Sequence, residues 1–465
     1  MAATAPSVHG QWSSRLAFLF ATIGYSVGLG NIWRFPWLAG ENGGGAFVLI
    51  YIFCVAGIAL PILIAELMIG RRGGLSPMAS LVSLARAEGR SSAWGIGGVI
   101  AVLTTLVIGT FYGVIGGWTL AYSWKAASGA LSGLDTEAAQ ALFGGFLASP
   151  WELAGWMLLF LAINALIVGR GIKAGIEKAT GILMPMLFAM LIGLVLWAMV
   201  AGDAAEALRF LFAPDFSDVT AQTWVAAIGQ AFFSVSVGAG GMMVYGAYLQ
   251  RDVKIAPTAA TVAAADTGVA ILAGLAIFPF LFAQGLAPAQ GPGLMFVVMP
   301  VALQATGVPG LIAFLFFALL AIAAITSMLA LFETVIAVTE EWGWHRERTI
   351  WAIAGGTGLV GLTTVLSFNV WADVHPLAFL PGFEARTPFD IADWFASNIG
   401  LTTAALVSAL FAGWVLSRAN AADELGVSPD HPGFRLWRLL VRGPVPIAVA
   451  VLLAAALFGL GETTG

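Results

Sequence analysis

Five ionisable side chains stand in or beside long apolar runs of this sequence. They are Arg34, Glu66, Asp266, Glu333 and Asp393. Such a residue inside a membrane helix costs about 2.5–3.5 kcal/mol on insertion scales, so each one needs a partner. Asp266 has no basic neighbour in its run, TVAAADTGVAILAG, and a bound cation is its favoured partner. For Glu66 we favour a structural role, in which it accepts hydrogen bonds from the amides of an interrupted helix. For Glu333 a structural contact and a functional role stay equally open.

Two glycine clusters interrupt apolar runs that lie five runs apart. They read ATIGYSVGLGN, with Gly24, Gly28 and Gly30, and FFSVSVGAGGM, with Gly238, Gly240 and Gly241. Glycine lowers helix stability by about 0.8–1 kcal/mol relative to alanine, and matching breaks in two halves of a chain mark the binding site of inverted-repeat membrane proteins. Close helix packing is the alternative reading of each cluster. Unwound carbonyls, together with Asn31, Thr326 and Ser327, would supply the oxygen ligands that hard cations prefer.

The composition requires an apolar solvent for these runs. The chain has 465 residues, of which 60% are hydrophobic and only 10% charged. Soluble domains carry about 25% charged residues. The net charge of −5 gives no nucleic-acid footprint, and the single cysteine and four scattered histidines show no metal-ligand spacing. The sequence therefore predicts a membrane protein and no enzyme site.

Eleven apolar runs are each long enough for the roughly 20 residues that a membrane helix needs. They lie near residues 15–38, 44–70, 96–124, 151–169, 176–200, 224–249, 259–284, 309–339, 350–367, 391–416 and 443–460. We predict an all-α membrane protein with a 5+5 inverted repeat, broken helices 1 and 6, and one extra C-terminal helix. The predicted boundaries are 1–14 for a cytoplasmic segment, 15–200 and 201–417 for the two repeats, and 418–465 for a loop with the eleventh helix.

The distribution of basic residues predicts the orientation. With the N-terminus in the cytoplasm, most of the 20 Lys and Arg residues fall on the cytoplasmic side, and only Lys125, Arg209 and Arg386 lie in outside connections. An odd helix count then places the C-terminus in the periplasm, in a multi-pass protein of the bacterial inner membrane.

The runs around these residues resemble the neurotransmitter:sodium symporter family. The resemblance begins with RLAFLFATIGYSVGLGNIWRFPWLAGENGGGAFVLIY and continues through IAELMIGRRGG, GIEKATGILMP, IGQAFFSVSVGAGGMMVYGAY, GPGLMFVVMP, AAITSMLALFE and FDIADWFASNIG. It covers nearly the whole chain in the family's order. The chain is similar to the bacterial leucine-transporter-like members with eleven helices. The resemblance implies transport of a substrate together with Na⁺.

The resemblance implies two sodium sites and a substrate pocket. The first sodium site would use Ser26, Asn31, Ser234 and Asp266. The second would use Gly24, Val27, Ala323, Thr326 and Ser327. The substrate pocket would use Ser26, Gly28, Leu29, Gly30, Ile108, Tyr112, Phe233, Ser234, Ser236, Ala239, Ser327 and Leu331.

The resemblance also implies gates on both sides of the pocket. Arg34 and Asp393 look like the outer gate, below which Tyr112 and Phe233 would form an aromatic lid. The residues that match the inner gate are Trp12, Tyr248 and Glu341. His9 stands where the family usually has arginine, which places the family's inner salt bridge in doubt.

The pocket residues favour a neutral amino acid. Gly28 stands where the family's amine carriers have aspartate, and it leaves room for a carboxylate that the amides of Leu29 and Gly30 can bind. Ala239 replaces a bulky aromatic residue, so we expect a large hydrophobic or aromatic substrate. Asp266 stands where the family usually has asparagine. Its charge would do the work of the chloride that animal members bind, so we expect no chloride requirement.

Three readings of the same architecture stay open beside sodium symport. The carrier could couple to protons, or exchange one amino acid for another. A sensor could bind amino acid without transporting it. The amino-acid substrate and the lipid bilayer are the expected partners in each case, and nucleic acid is not.

Overall fold

The computed structural model describes residues 10–286 and 293–458, and these residues contain helices without any strand. Within them, nine helices are long and apolar enough to cross a membrane, and one bent pair adds a tenth. We label these ten spans, and the divided helix that lies between the fifth and the next, in chain order: α1 (Arg15–Ser26 and Gly30–Glu41), α2 (Gly45–Gly73), α3 (Ser92–Ala127), α4 (Pro150–Gly169), α5 (Ile172–Ala201), α6 (the divided helix, Ala221–Val235 and Gly241–Ala247), α7 (Ile255–Ala283), α8 (Pro309–Glu341), α9 (Arg346–Leu366), α10 (Pro388–Val415) and α11 (Pro432–Leu457).

The all-α membrane fold is confirmed, whereas the count of eleven spans stays a prediction. The sixth predicted span is divided into pieces of 15 and 7 residues, and neither piece is long enough to cross a bilayer alone. The predicted repeat boundaries likewise stay a prediction. Predicted span 11 extends to residue 460, and its last two residues lie outside the described part of the chain.

Local side-chain chemistry sets where several helices begin. Ser14 caps α1 by accepting a hydrogen bond from the Ala17 amide at 3.1 Å, and Thr387 caps α10 in a reciprocal capping box with Asp390. Such caps stabilise a helix by about 0.5–2 kcal/mol because they satisfy amides that have no partner within the helix.

The core is centred on α8. In its most apolar stretch 72% of the residues are buried, compared with 33% in α5 and in α11. A helix that is apolar on all sides belongs inside a bundle, whereas one with an exposed apolar face contacts lipid. Helix α3 packs along α8, and α1 packs beside it. The broken helices therefore lie next to the most enclosed part of the fold.

Both predicted helix breaks are present. Helix α1 bends by 50° at residues 27–29. In α6, residues 236–240 leave the helix, with φ of 58° at Ser236, 89° at Gly238 and 76° at Gly240. A β-carbon at Gly238 would lie 2.2 Å from the carbonyl oxygen of Leu401, so this position needs glycine for both its backbone conformation and its space.

Candidate functional site

A buried cluster of oxygen atoms connects the break in α1 to α6 and α7. Asn31 Nδ2 donates to Ser234 Oγ at 2.8 Å, to Asp266 Oδ1 at 2.7 Å and to the Asp266 carbonyl at 3.0 Å. Ser234 Oγ donates to Asp266 Oδ2 at 2.5 Å. All three side chains are fully buried. The structure thus brings together Asn31, Ser234 and Asp266, three of the four residues expected at the first sodium site.

The fourth residue, Ser26, joins the two breaks to each other. Its hydroxyl donates to the Val235 carbonyl at 3.4 Å, and the hydroxyl of Ser236 donates to the Tyr25 carbonyl at 3.3 Å. Each break therefore supplies carbonyl oxygens that face the other, as the glycine clusters predict for opposed unwound segments.

The donor set of this cluster suits a single monovalent cation. The carboxylate of Asp266 and the hydroxyl of Ser234 converge, whereas Asn31 turns its amide nitrogen to them and its oxygen to the Gly28 amide, at 3.0 Å. A single negative charge is therefore present to balance a single positive one. Among the described residues no group of three or more His, Cys, Asp or Glu side chains is placed to hold a metal ion. Oxygen ligands of this kind fit a hard cation such as Na⁺ and do not favour a transition metal.

Tyr51 of α2 is a member of this cluster that the sequence reasoning missed. Its hydroxyl lies 2.9 Å from Ser234 Oγ and donates to Asp266 Oδ2 at 3.4 Å. Tyr51 is fully buried in the apolar run VLIYIFC, so its ring reads as a core residue. The signal that could have found it is the single hydroxyl in that run, since a buried hydroxyl needs a hydrogen-bond partner.

A second group of oxygen atoms surrounds Ser327 on α8. Ser327 Oγ lies within donating distance of the carbonyls of Gly24, Tyr25 and Val27, at 3.3, 3.2 and 3.5 Å. The neighbouring Thr326 donates back to the carbonyls of Ile322 and Ala323, both at 3.1 Å. The structure therefore places the five residues expected at the second sodium site, Gly24, Val27, Ala323, Thr326 and Ser327, in one group between α1 and α8.

A cavity that is partly open to solvent lies between the two oxygen clusters. It is lined by Tyr25, Ser26, Gly28, Leu29, Gly30, Ile108, Tyr112, Phe233, Ser236, Ala239, Ser327, Leu331 and Leu401. This set contains every predicted pocket residue except Ser234, which contacts Asp266 instead. Tyr25 and Leu401 were missed, although Tyr25 stands between two predicted ligands in the first break. No charged side chain is in the lining set, so a neutral ligand suits the cavity best.

Two glycines keep space open at the end of this cavity. A β-carbon on Gly28 would lie 2.6 Å from Ser327 Oγ and 3.1 Å from the Tyr112 hydroxyl, and one on Gly30 would lie 2.7 Å from the Phe233 ring. Real β-carbons do not approach other heavy atoms to below 3.0 Å. A β-carbon at either position would therefore force Ser327 or Phe233 to move.

A second, larger cavity of about 840 Å³ adjoins the first. The two share Leu29, Gly30, Tyr112 and Phe233, so the two predicted lid residues lie between them. Arg34 and Asp393 both line the larger cavity, with the Arg34 guanidinium 4.9 Å from the centre of the Phe233 ring. No ion pair within 4.0 Å joins Arg34 to Asp393 in the described structure. The predicted outer gate is therefore assembled around one cavity without a direct contact between its two charges.

At the opposite side of the fold, Trp12 is packed against the end of α6. Its indole nitrogen donates to the Tyr245 carbonyl at 3.1 Å and its amide to the Tyr248 carbonyl at 3.3 Å. Glu341 accepts a hydrogen bond from Ser76 Oγ at 2.6 Å. The structure thus brings together Trp12 and Tyr248 and shows Glu341 bound to Ser76. His9, which stands where the family usually has the arginine of the inner salt bridge, lies outside the described residues.

The remaining buried glutamates have structural partners. Glu66 Oε1 accepts hydrogen bonds from the Gly238 amide at 2.9 Å and from Ser408 Oγ at 3.2 Å, in agreement with its predicted role at a broken helix. Glu333 accepts a hydrogen bond from Tyr248 at 2.9 Å and forms an ion pair with Arg346. The sequence does not predict this pair, because Arg346 stands between the predicted spans 309–339 and 350–367, among the basic residues expected on the cytoplasmic side.

Taken together, the fold and these contacts define a membrane transporter with two facing broken helices and oxygen clusters at the break. Residues 9–137 and 145–462 match the profile of the Sodium:neurotransmitter symporter family. The chain belongs to this family. It is a sodium-dependent symporter and not an enzyme.

Three relatives are similar to this chain over nearly their whole length. The sodium-dependent transporter YhdH of Bacillus subtilis is 35% identical over 451 residues, which cover 95% of this chain and 96% of that protein. A sodium-dependent transporter of Haemophilus influenzae is 33% identical over 456 residues, which cover 96% and 98%. MhsT, known from a crystal structure in complex with L-phenylalanine, is 38% identical in sequence to this chain, and the two structures have a TM-score of 0.88. The match covers 96% of this chain and all of that one.

Proposed function

We propose that this protein carries a large hydrophobic or aromatic amino acid into the cell together with Na⁺, without a requirement for chloride. The observation that carries the proposal is the position of the cavity, which shares Ser26 and Ser327 with the residues of the two oxygen clusters. A substrate carboxylate at Gly28 would lie beside the cation, so sodium and substrate would each raise the other's affinity.

The chemistry of the cavity supports an amino-acid substrate. The helix break presents the backbone of Gly28, Leu29 and Gly30 at the cavity wall, and amides at the start of a helix attract a carboxylate. The buried hydroxyl of Tyr112 has no partner with hydrogen-bond geometry in the described part of the chain, so it is available to a ligand. The apolar side chains of Ile108 and Leu331 would contact the substrate side chain. MhsT, which is similar in sequence and fold, was crystallised with L-phenylalanine.

Uptake into proteoliposomes tests this proposal. Labelled phenylalanine should accumulate when an inward sodium gradient is applied, and unlabelled large hydrophobic or aromatic amino acids should compete. Accumulation that persists when choline replaces sodium, and that follows a proton gradient, would support the proton-coupled alternative. Uptake that needs a second amino acid inside would support exchange. Binding without accumulation would support a sensor.

Ala239 is expected to set the size of the accepted side chain. It lines the cavity and is 3% exposed, so a phenylalanine there would occupy part of the space left for substrate. We expect Ala239→Phe to weaken phenylalanine uptake by about 5- to 150-fold relative to alanine uptake, since overpacking costs about 1–3 kcal/mol. The control Ala239→Ser adds a single heavy atom and should keep the wild-type ranking. The measurement is competition by the twenty amino acids. An unchanged ranking in Ala239→Phe would show that residue 239 does not contact the substrate.

Asp266 is expected to remove the need for chloride. Its carboxylate supplies a fixed negative charge beside the cation, in contact with Ser234 and Tyr51. We expect Asp266→Asn to reduce sodium-driven uptake at least about tenfold in gluconate medium, and chloride to restore part of it. Wild-type uptake should be the same in both media. Uptake by Asp266→Asn that equals the wild type in both media would contradict this assignment.

A further inference from the structure

A groove rich in arginine lies where α10 and α11 meet at one membrane interface. Four arginines, Arg418, Arg435, Arg438 and Arg442, line it together with Trp414 and Leu439. It is open to solvent and is separate from the cavities between the broken helices. Trp414 lies at the end of α10, Arg418 lies three residues beyond that helix, and residues 434–443 lie in the first half of α11. The groove therefore lies at the level where both spans leave the same side of the bilayer.

The positive charge in this groove is only partly balanced. Arg418 and Arg435 share one carboxylate, that of Asp430, at 3.0 and 2.9 Å. Arg438 donates to the carbonyls of Leu416, at 2.8 Å, and Ala412, at 3.4 Å. These two acceptors are uncharged. The groove therefore has more guanidinium groups than carboxylates to neutralise them.

Arg438 and Arg442 are the two arginines of the groove whose charge no carboxylate neutralises in the described structure. The Arg442 guanidinium lies 4.2 Å from the centre of the Trp414 ring, and Trp414 Nε1 donates to the Arg442 carbonyl at 3.1 Å. In the described structure neither Arg438 nor Arg442 has a carboxylate within 4.0 Å. Stacking on tryptophan orients the Arg442 guanidinium and leaves its N–H groups available to an anion.

The groove opens onto an apolar surface. The first part of α11 is held to the protein by Trp437, whose indole nitrogen donates to the Pro61 carbonyl at 3.0 Å. Leu439 faces outward with 63% of its surface exposed, and Ile447 and Val451 continue along α11 with 64% and 55% exposed. Exposed apolar residues next to a basic groove at a membrane interface match the two chemically different parts of a phospholipid.

We propose that this groove binds the headgroup phosphate of an anionic phospholipid, with Arg438 and Arg442 as its main ligands. The acyl chains would lie against Leu439 and Ile447. Basic pockets between membrane helices bind anionic headgroups, and arginine binds phosphate in a bidentate manner. A soluble phosphate ion would contact the arginines but not the exposed apolar residues Leu439 and Ile447. These residues therefore favour a phospholipid over free phosphate as the ligand.

Native mass spectrometry of the delipidated protein in detergent tests the proposal. The probes are phosphatidylglycerol and phosphatidylcholine with the same acyl chains. We expect the wild type to bind phosphatidylglycerol about 10- to 30-fold more tightly, and the double variant Arg438→Gln, Arg442→Gln to lose most of this preference. Arg251→Gln, an exposed arginine in another loop, is the control and should behave like the wild type.

Two further arms keep the result interpretable. Thermal unfolding and sodium-dependent phenylalanine binding of the double variant show whether it is folded. If it is not, the single variant Arg442→Gln and the lipid comparison on the wild type alone still decide the question. Equal binding of the two lipids by the wild type would overturn the proposal. So would displacement of phosphatidylglycerol by millimolar inorganic phosphate, or undiminished preference in a folded Arg438→Gln, Arg442→Gln variant.

Discussion

Asp266→Ala is expected to impair sodium-driven uptake severely. The carboxylate of Asp266 is the sole charged group of the buried cluster with Asn31, Ser234 and Tyr51, and it accepts hydrogen bonds from all three. Removal would leave these side chains without their acceptor and the cation without a counter-charge. Loss of bonds to a charged partner costs about 1.5–3 kcal/mol, so we expect sodium affinity to fall by about 10- to 150-fold.

The matched control for this variant is Asp252→Ala. Asp252 is an exposed aspartate in the loop before α7, so its removal takes away the same charge outside the cluster. The measurement is sodium dependence of phenylalanine uptake in proteoliposomes, together with thermal unfolding to show that the variant folds. Wild-type sodium dependence in Asp266→Ala would exclude this cluster as the coupling site.

Gly28→Ala is expected to weaken substrate binding strongly. Its β-carbon would meet Ser327 Oγ at 2.6 Å and the Tyr112 hydroxyl at 3.1 Å, in the part of the cavity assigned to the substrate carboxylate. Either these two side chains move or the helix break shifts, and both changes remove space or ligands from the substrate. Overpacking costs about 1–3 kcal/mol, so affinity should fall by about 5- to 150-fold.

Gly268→Ala provides the comparison for Gly28→Ala. Gly268 lies in α7 near Asp266, and a β-carbon there would have no heavy atom within 4 Å. We expect this variant to bind labelled phenylalanine like the wild type. If Gly28→Ala binds phenylalanine as tightly as Gly268→Ala does, the carboxylate of the substrate lies elsewhere.

The features that the sequence predicts well depend on residue types that are unfavourable in an apolar helix. Gly238 and Gly240 indicate the break in α6, and both have the positive φ that favours glycine. Asp266 indicates a polar cluster because a lone carboxylate in an apolar run needs partners. Glu66 is found on an amide of the broken helix, as expected. In these cases the local sequence contains a residue that is unfavourable in an apolar helix unless it has a particular contact or backbone conformation.

Other features depend on contacts between residues far apart in the chain. Tyr51 joins the cluster through Ser234, 183 positions away, and its aromatic ring is equally at home in a core. Arg346 reads as a residue of a basic connection until the fold places it on Glu333. Leu401 lines the cavity because α10 passes the break in α6, and nothing in its own run indicates this. The composition of the neighbouring sequence does not predict contacts between residues that are far apart in the chain.

The coupling of the two ligands is the central claim, and an equilibrium measurement of it is the most direct test. Labelled phenylalanine binding to the purified protein should be measured over a range of sodium concentrations, and ²²Na⁺ binding with and without phenylalanine. Because the two ligands share one site, sodium should raise phenylalanine affinity, and phenylalanine should raise sodium affinity by the same factor, at least about fivefold. Phenylalanine affinity that is equal in sodium and in choline would contradict the account.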